Sequence, residues 1–357
     1  MSKVMVGMSG GVDSSVCALL LHEQGYDVTG VTLKMFGDDD IVQAEKEGKT
    51  CCALNDVLDA RSVAYKLGFE HLTFNFKDCF REKVMKQFVE SYISGKTPNP
   101  CIECNRHIKF DKMLRRAFEL GYDYIATGHY AVVEYDEKSG RYLLKRSADR
   151  TKDQTYVLYS LTQEQLAHII FPLGNLSKSE VRQLAEKYAL VNADKPDSQD
   201  ICFVPDGNYV EFIKKFAEYE QTEGNFIDTG GKILGTHKGI INYTIGQRKG
   251  LGIALGKPAY VVSKDISANT VTLGDEQELY TSTLTATDVN LISVEKITEP
   301  MRITAKTRYT QKETPATLSY NNGVYTVDFD VPQRAITSGQ AVVFYDGDTV
   351  IGGGTIV

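Results

Sequence analysis

The order of apolar and polar positions divides this chain into an alternating first part and a strand-rich last part. In residues 1–135, short β-rich runs alternate with segments of helical period, several of which end at a glycine. Such alternation predicts an α/β fold with a doubly wound, mostly parallel sheet. The predicted strands are Val4–Gly7, Val28–Lys34, His71–Asn75 and Tyr124–Thr127, and the helices between them include Asp56–Leu67 and Lys109–Leu120.

The pattern changes after about residue 205. Residues 206–282 combine one predicted helix, Tyr209–Ala217, with glycine-rich turns and short β runs. From residue 283 onward only strand patterns remain, and turn signals such as Asn321-Asn322-Gly323 separate them. Short strands at this spacing are typical of a small β-barrel. We therefore expect a catalytic domain over 1–205, a small mixed central domain over 206–282 and a C-terminal barrel over 283–357.

A Ser-Gly-Gly-Val-Asp-Ser turn joins the first predicted strand to the first predicted helix. Gly10 and Gly11 can adopt backbone angles closed to other residues, and the N-terminus of the following helix attracts anions. The turn lacks the Gly-Lys-Ser/Thr ending of a Walker A loop. It resembles the PP-loop of ATP pyrophosphatases, which split ATP between its α and β phosphates. The competing interpretation is an ordinary glycine-rich turn.

Composition narrows the class of protein. The chain has 357 residues, of which 42% are hydrophobic and 24% charged, as in globular proteins of two or three domains. A net charge of −7 argues against wholesale wrapping of nucleic acid, but it leaves room for a local basic surface. There is no leader-like segment and no long apolar run, so we expect a cytoplasmic protein without a membrane partner.

Seven cysteines, an odd number, argue against a disulfide framework and favour catalytic, redox or metal roles. Cys104 lies in the segment Thr97–Asn105, which its prolines predict to be a loop, and Cys202 lies in the polar segment Asp197–Phe203. Cysteines in polar loops are more often reactive than those on apolar faces. Of the others, Cys17 and Cys79 are expected to be packing residues, and Cys51 and Cys52 have no assigned role.

These residues resemble those of a known family over essentially the whole chain, the tRNA-specific 2-thiouridylases of the MnmA/TrmU type. The resemblance implies an ATP-dependent tRNA sulfurtransferase that adenylates the C2 oxygen of the wobble uridine, position 34, and transfers sulfur from a cysteine persulfide. It also implies tRNAs of the Lys, Glu and Gln types as substrates and a sulfur-carrier or persulfide donor protein as partner. The matching segments are Gly7–Ser15, Lys34-Met35, Thr97–Asn105, Ile108–Phe110, Ala126–Tyr130, Lys152–Gln154, Asp200–Phe203, Gly235–Gly252 and Lys306–Tyr309.

The same resemblance implies roles for single residues. The nucleophile would be Cys104 and the persulfide carrier Cys202. On physical grounds we also expect Mg²⁺ to offset the phosphate charge, with Asp13 as a helper at that site. The ATP-binding residues would be Gly7, Met8, Ser9, Gly10, Gly11, Val12, Asp13, Ser14, Met35 and Gly128. The tRNA contacts, some of them in the C-terminal barrel, would be Asn99, Pro100, Cys101, His129, Lys152, Asp153, Gln154, Arg308, Tyr309 and Gln340.

One departure leaves the sulfur chemistry open. Many family members carry an acidic residue three positions before the nucleophile, where this chain has Cys101. Together with Cys104 and Cys202 it offers three thiolates that could hold a [4Fe–4S] cluster, whereas a zinc site lacks a convincing fourth ligand. Cys101 could equally be a spare thiol. We favour the persulfide route over the cluster.

Two further hypotheses concern function. The chain could be a PP-loop ligase that acts on a small metabolite, in which case the cysteines would be incidental. It could also be an RNA-binding sulfur carrier whose nucleotide site is only structural.

Overall fold

The computed structural model describes residues 1–37, 54–196 and 201–357. Cys51, Cys52 and the segment 197–200 lie outside these ranges. The strands are β1 (Lys3–Gly7), β2 (Asp27–Lys34), β3 (Glu70–Asn75), β4 (Tyr124–Thr127), β5 (Ala131–Asp136), β6 (Arg141–Arg146), β7 (Ile169–Ile170), β8 (Gly224–Asp228), β9 (Ile233–His237), β10 (Tyr260–Asp265), β11 (Thr270–Gly274), β12 (Tyr280–Leu291), β13 (Met301–Lys306), β14 (Thr314–Asn321), β15 (Val324–Arg334), β16 (Ala341–Asp346) and β17 (Thr349–Ile356).

Helices cover most of the intervals between the first strands. Turns of π type, Arg81–Met85 and Asn105–Lys112, connect some of them into longer helical paths, and 3₁₀ turns lie at Thr155–Val157, Ile240–Asn242 and Glu276–Leu279. The α-helices are α1 (Val12–Glu23), α2 (Leu54–Leu67), α3 (Lys77–Phe80), α4 (Lys86–Ile93), α5 (Pro100–Cys104), α6 (Met113–Glu119), α7 (Gln163–Leu166), α8 (Lys178–Lys187) and α9 (Tyr209–Ala217). No helix in the described ranges is both long enough and apolar enough to span a bilayer.

The N-terminal sheet has the order β3-β2-β1-β4-β7, and all of its strand pairs are parallel. Successive residues of β1 face opposite apolar layers, because side chains alternate along a strand. Val4 and Val6 pack with α1, α2 and α8, whereas Met5 packs with the helical segments between residues 77 and 119. Helices therefore cover both faces, and the predicted doubly wound sheet is confirmed.

Two other sheets follow. A four-stranded sheet has the order β10-β11-β8-β9. In the last part, β12-β15-β14-β13-β16-β17 form a closed barrel, because β12 pairs with β17 as well as with β15. The predicted C-terminal barrel is thus confirmed. The hairpin β5–β6 extends it, since Lys145 pairs with Thr349 of β17.

The segment 97–105 differs from its predicted loop. Pro100–Cys104 is helical, and the Asn99 side chain caps it by accepting a hydrogen bond from the Cys101 amide at 3.1 Å. Proline is favoured at the first helical position, where its fixed φ fits and its missing N–H has no partner to lose. The helical path then continues to Glu119, so the helix predicted from Lys109 begins at Pro100.

Candidate active site

The glycine-rich turn lies at the carboxyl end of β1, where open α/β sheets bind ligands. Gly11 is the N-cap of α1, with extended backbone angles. The hydroxyls of Ser14 and Ser15 both donate to its carbonyl, at 3.0 and 3.1 Å, and the Ser9 amide donates to Ser14 Oγ at 3.2 Å. These serines therefore shape the loop through internal hydrogen bonds as well as lining it.

Two glycines allow close approaches of backbone at this turn. Gly10 has φ of +75°, and a Cβ there would lie 2.4 Å from the Asp56 carbonyl oxygen in the first turn of α2. A Cβ on Gly128, just after β4, would lie 2.7 Å from the Asp13 carbonyl carbon and 2.8 Å from the Ser14 nitrogen. A side chain at either position would push apart the elements that surround the turn.

Two residues that sequence reasoning missed hold the turn from outside. Asn192 is buried, and its amide nitrogen donates to the Gly10 carbonyl at 2.9 Å and to Ser15 Oγ at 2.8 Å. Lys195 Nζ also reaches the Gly10 carbonyl, at 3.2 Å, and pairs with Asp59 at 2.8 Å. No local motif marks either residue, because both act across more than 130 positions of sequence.

Asp13 lies in the first turn of α1 and is already bonded. Lys178 Nζ donates to its two carboxylate oxygens at 2.7 and 2.9 Å, and the Tyr130 hydroxyl donates to Oδ1 at 2.8 Å. Lys178, the first residue of α8, was not predicted as a site residue. In this structure the Asp13 carboxylate is paired with Lys178, and its help to a Mg²⁺ ion stays a prediction.

Cys104 lies beside a predicted ATP-binding residue. Its Sγ is 3.8 Å from Met35 Sδ, at the end of β2. The thiol is buried in a helical segment, which corrects the prediction that Cys104 lies in a loop. Cys202 is half-buried against the same apolar layer. The predicted nucleophile is thus in contact with Met35, whose role in ATP binding stays a prediction.

The other cysteines differ in environment. Cys101 is exposed, although it is only three positions from Cys104. Cys17 is fully buried in α1, where burial raises the pKa of its thiol, so its prediction as a core residue is confirmed. Cys79 packs half-buried against the layer that contains Cys104.

Metal ligands are not gathered at this site. Over residues 1–37, 54–196 and 201–357, no three His, Cys, Asp or Glu side chains lie together in a way that could hold a metal ion. This placement does not provide the trio of Cys101, Cys104 and Cys202 that a [4Fe–4S] cluster or a zinc ion would need.

Several predicted tRNA contacts do converge. The Tyr309 hydroxyl lies 3.5 Å from the Asp153 carbonyl oxygen, which joins the barrel to the Lys152–Gln154 segment. Burial raises the pKa of Tyr309, and the nearby charges of Asp153, Lys152 and Cys101 also act on it. Gln154 Oε1 accepts the Tyr130 amide at 2.9 Å, so the same segment connects to the tyrosine that holds Asp13.

His129 occupies a different environment from the one predicted. It is buried, its Nδ1 is 2.7 Å from Thr127 Oγ1, and its ring packs against Phe110 and Phe171. Burial, and the charge of Lys109, hold its pKa well below the usual range. The side chain thus packs in the core in this structure, and the RNA contact at His129 stays a prediction.

Arg308 and Gln340 bond to the protein itself. Arg308 Nη2 donates to the Ala335 carbonyl at 2.9 Å and to Thr337 Oγ1 at 2.7 Å. Gln340 Nε2 donates to the Thr97 carbonyl at 2.9 Å, and the Thr97 amide donates to Ser338 O at 2.9 Å. The barrel is therefore fastened directly to the segment that leads into α5.

Comparison with known proteins gives three family matches along the chain. Residues 2–206 match the family described as "tRNA methyl transferase HUP domain". Residues 210–275 match "tRNA methyl transferase PRC-barrel domain", and residues 281–356 match "Aminomethyltransferase beta-barrel domain".

Relatives match over the full length. The "tRNA-specific 2-thiouridylase MnmA" of Acetivibrio thermocellus is 56% identical over 99% of both chains. The protein of the same name from Clostridioides difficile is 53% identical over 99% of this chain and 98% of its own. A solved 4-thiouridine synthetase–RNA complex with bound ATP covers 61% of this chain and 50% of that chain, at 17% identity and a TM-score of 0.38, too low to carry an argument.

The family descriptions mention methyl transfer, whereas the full-length relatives are named 2-thiouridylases. The relatives decide the family, because more than half of the residues are identical from end to end. This chain belongs to the tRNA-specific 2-thiouridylase family.

Proposed function

We propose that this protein synthesises 2-thiouridine in tRNA with the use of ATP, and that its target is C2 of the wobble uridine, position 34. The observation that carries the proposal is identity of 56% over 99% of both chains with a protein named tRNA-specific 2-thiouridylase. The bonded turn at the end of β1 and the approach of Cys104 to Met35 support it.

The first step activates a poor leaving group. The C2 oxygen of uracil attacks the α phosphate of ATP, the bond between the α and β phosphates breaks, and pyrophosphate leaves. The ATP would lie on Gly7–Ser14, with Met35 and Gly128 at its sides. The backbone N–H groups at the start of α1 would bind phosphate oxygens. Asp13 would take part in this step by positioning Lys178, which donates to both of its carboxylate oxygens.

The second step delivers sulfur. The terminal sulfur of a persulfide on Cys202 attacks C2, and AMP leaves. The Cys104 thiolate then attacks Cys202 Sγ, which breaks the bond between the two persulfide sulfurs and leaves the terminal sulfur on C2. The product is 2-thiouridine together with a Cys104–Cys202 disulfide, which an external thiol must reduce. The persulfide comes from a donor or sulfur-carrier protein.

The RNA would reach this site along the line where the barrel meets the first domain. The proposal includes three domains: the catalytic domain over 1–205, the central domain over 206–282 and the barrel over 283–357. Asn99, Pro100, Cys101 and Lys152–Gln154 would lie beside the target base, and Tyr309 would contact the RNA from the barrel. A base in an anticodon loop can be splayed out toward such a site. The substrates would be tRNAs of the Lys, Glu and Gln types.

The test is the composition of tRNA in cells that lack the protein. We expect mass spectrometry to show loss of 2-thiouridine at the wobble position and its return when the gene is restored. A normal 2-thiouridine content would contradict the proposal.

A small-metabolite ligase is the competing enzyme class. It should keep its activity after Cys104→Ser or Cys202→Ser, whereas tRNA thiolation should stop. A sulfur carrier without catalysis should release no pyrophosphate when tRNA and ATP are added together.

A further inference from the structure

Lys306, the last residue of β13, is a cation held on aromatic rings. Its Nζ lies 5.8 Å from the ring centre of Tyr156 and 5.4 Å from that of Tyr309. The side chain is half-buried, and burial lowers the pKa of its ammonium. Within the described ranges, no carboxylate forms a salt bridge with it. A partly desolvated cation without a counter-ion favours an anionic ligand.

The two nearest carboxylates are engaged elsewhere. Asp153 accepts the Ser147 amide on Oδ1 at 3.1 Å and the Thr155 hydroxyl on Oδ2 at 2.7 Å. Glu313 pairs with Arg146 at 2.9 Å. Both act on the pKa of Lys306 through space, but neither is bonded to it.

Arg146 adds a second cation behind Lys306. Its guanidinium carbon lies 4.0 Å from the ring centre of Tyr345, and only Nη1 reaches Glu313. Its Nε and Nη2 are buried and have no hydrogen-bond partner within the described residues. Arg146 therefore adds positive potential at the Lys306 ammonium, whereas the charges of Asp153 and Glu313 act in the opposite direction.

We propose, on the basis of the proposed function, that Lys306 binds a backbone phosphate of the tRNA next to the target uridine, with Arg146 strengthening the positive potential. The position supports this ligand, because Tyr309 lies between Lys306 and the Lys152–Gln154 segment. The ATP phosphates have a separate place at the turn after β1. RNA phosphate contacts set position rather than sequence, so this subsite would fix how deeply the loop enters.

The test is the salt dependence of tRNA binding to the full-length protein. We would measure the Kd of unmodified tRNA between low and moderate salt for wild type, Lys306→Met and Lys306→Arg. The control is Lys296→Met, which removes an exposed lysine elsewhere in the barrel region. Loss of one phosphate contact should lower the slope of log Kd against log salt by about one and weaken binding roughly tenfold. Lys306→Arg and Lys296→Met should keep the wild-type slope.

Three results would overturn the inference in distinguishable ways. If Lys306→Met is folded, as judged by its Tm, and its salt slope is unchanged, Lys306 does not contact a tRNA phosphate. If that variant does not fold, Lys306→Gln is measured instead. An unchanged salt slope together with a raised KM for ATP would show that Lys306 binds ATP rather than tRNA. Failure of the wild-type protein to bind or thiolate tRNA would refute the proposed function itself.

Discussion

Lys178 and Asp13 form an ion pair at the start of α1, with Nζ 2.7 and 2.9 Å from the two carboxylate oxygens. The lysine side chain is 12% exposed and the aspartate side chain 32% exposed. Partly buried pairs of this kind are weakly screened by solvent, and loss of one partner leaves an uncompensated charge. The pair brings the start of α8 to the position where ATP phosphates would arrive.

The first prediction concerns this pair. Lys178→Met should raise the KM for ATP by about tenfold, equivalent to ~1.4 kcal/mol, because the Asp13 carboxylate would then repel the phosphates. The Kd for tRNA should stay unchanged. Kinetics of pyrophosphate release with tRNA present would measure the effect.

A double variant provides the control for that prediction. Adding Asp13→Asn to Lys178→Met should recover part of the lost ATP affinity, since no bare carboxylate remains. Equal ATP affinity in the single and double variants would show that the bare Asp13 carboxylate is not the cause of the lost affinity.

The second prediction concerns the support of the turn by Asn192. Asn192→Ala should remove two buried hydrogen bonds, to the Gly10 carbonyl and to Ser15 Oγ, which costs about 1–3 kcal/mol of stability. It should also raise the KM for ATP, because Lys195 is then the remaining donor to the Gly10 carbonyl and the turn is held less firmly. Asn290→Ala is the matched control. The Asn290 amide donates to the Tyr159 and Leu161 carbonyls, away from the turn, so this variant should lower stability without a change in ATP affinity.

The third prediction separates the two sulfur mechanisms. Cys104→Ser and Cys202→Ser should each lower thiolation by at least about a thousandfold while pyrophosphate release continues, because adenylation precedes sulfur transfer. Cys101→Ser should retain thiolation on the persulfide route. Loss of activity in Cys101→Ser, together with bound iron and a visible absorption band in anaerobically purified protein, would instead favour the cluster.

The fourth prediction is a pH dependence of stability at His129. Its folded pKa is held well below 6.5, so the unfolded chain binds the proton first as the pH falls. The stability that His129 provides is therefore present above about pH 6.5 and declines below it. The penalty of His129→Gln, measured by urea unfolding, should be smaller at pH 5.5 than at pH 7.5. A constant penalty would contradict a neutral, buried imidazole.

Local sequence signals predicted much of the fold. The β1–turn–α1 unit and the glycine at position 10 follow from short-range rules, and alternation of strands and helices gives the parallel sheet. The helix Pro100–Cys104 differs from the predicted loop for a local reason. Proline breaks a helix in its interior, but Asn99-Pro100 is also a common way to start one.

The remaining site residues could not be predicted from local patterns. Lys178 and Asn192 reach the turn only because α8 packs against α1 and carries the chain back to it. The burial of His129 depends on Phe110 and Phe171, which come from distant segments. These contacts arise from tertiary packing, so no motif or period in the sequence signals them.

The hydrogen bonds that join the barrel to the segment before α5 use backbone atoms of that segment. They therefore do not depend on the side chains of Thr97 and Pro98. On the barrel side the contact depends on the Gln340 amide and on Gly339, whose φ is +87°. A Cβ there would meet the Cβ of Lys96 at 2.8 Å and the Thr97 nitrogen at 3.0 Å. A methyl group at Gly339 would therefore push the barrel away from residues 96–97. We expect this to move α5, which carries Cys104, away from the tRNA that the barrel would bind.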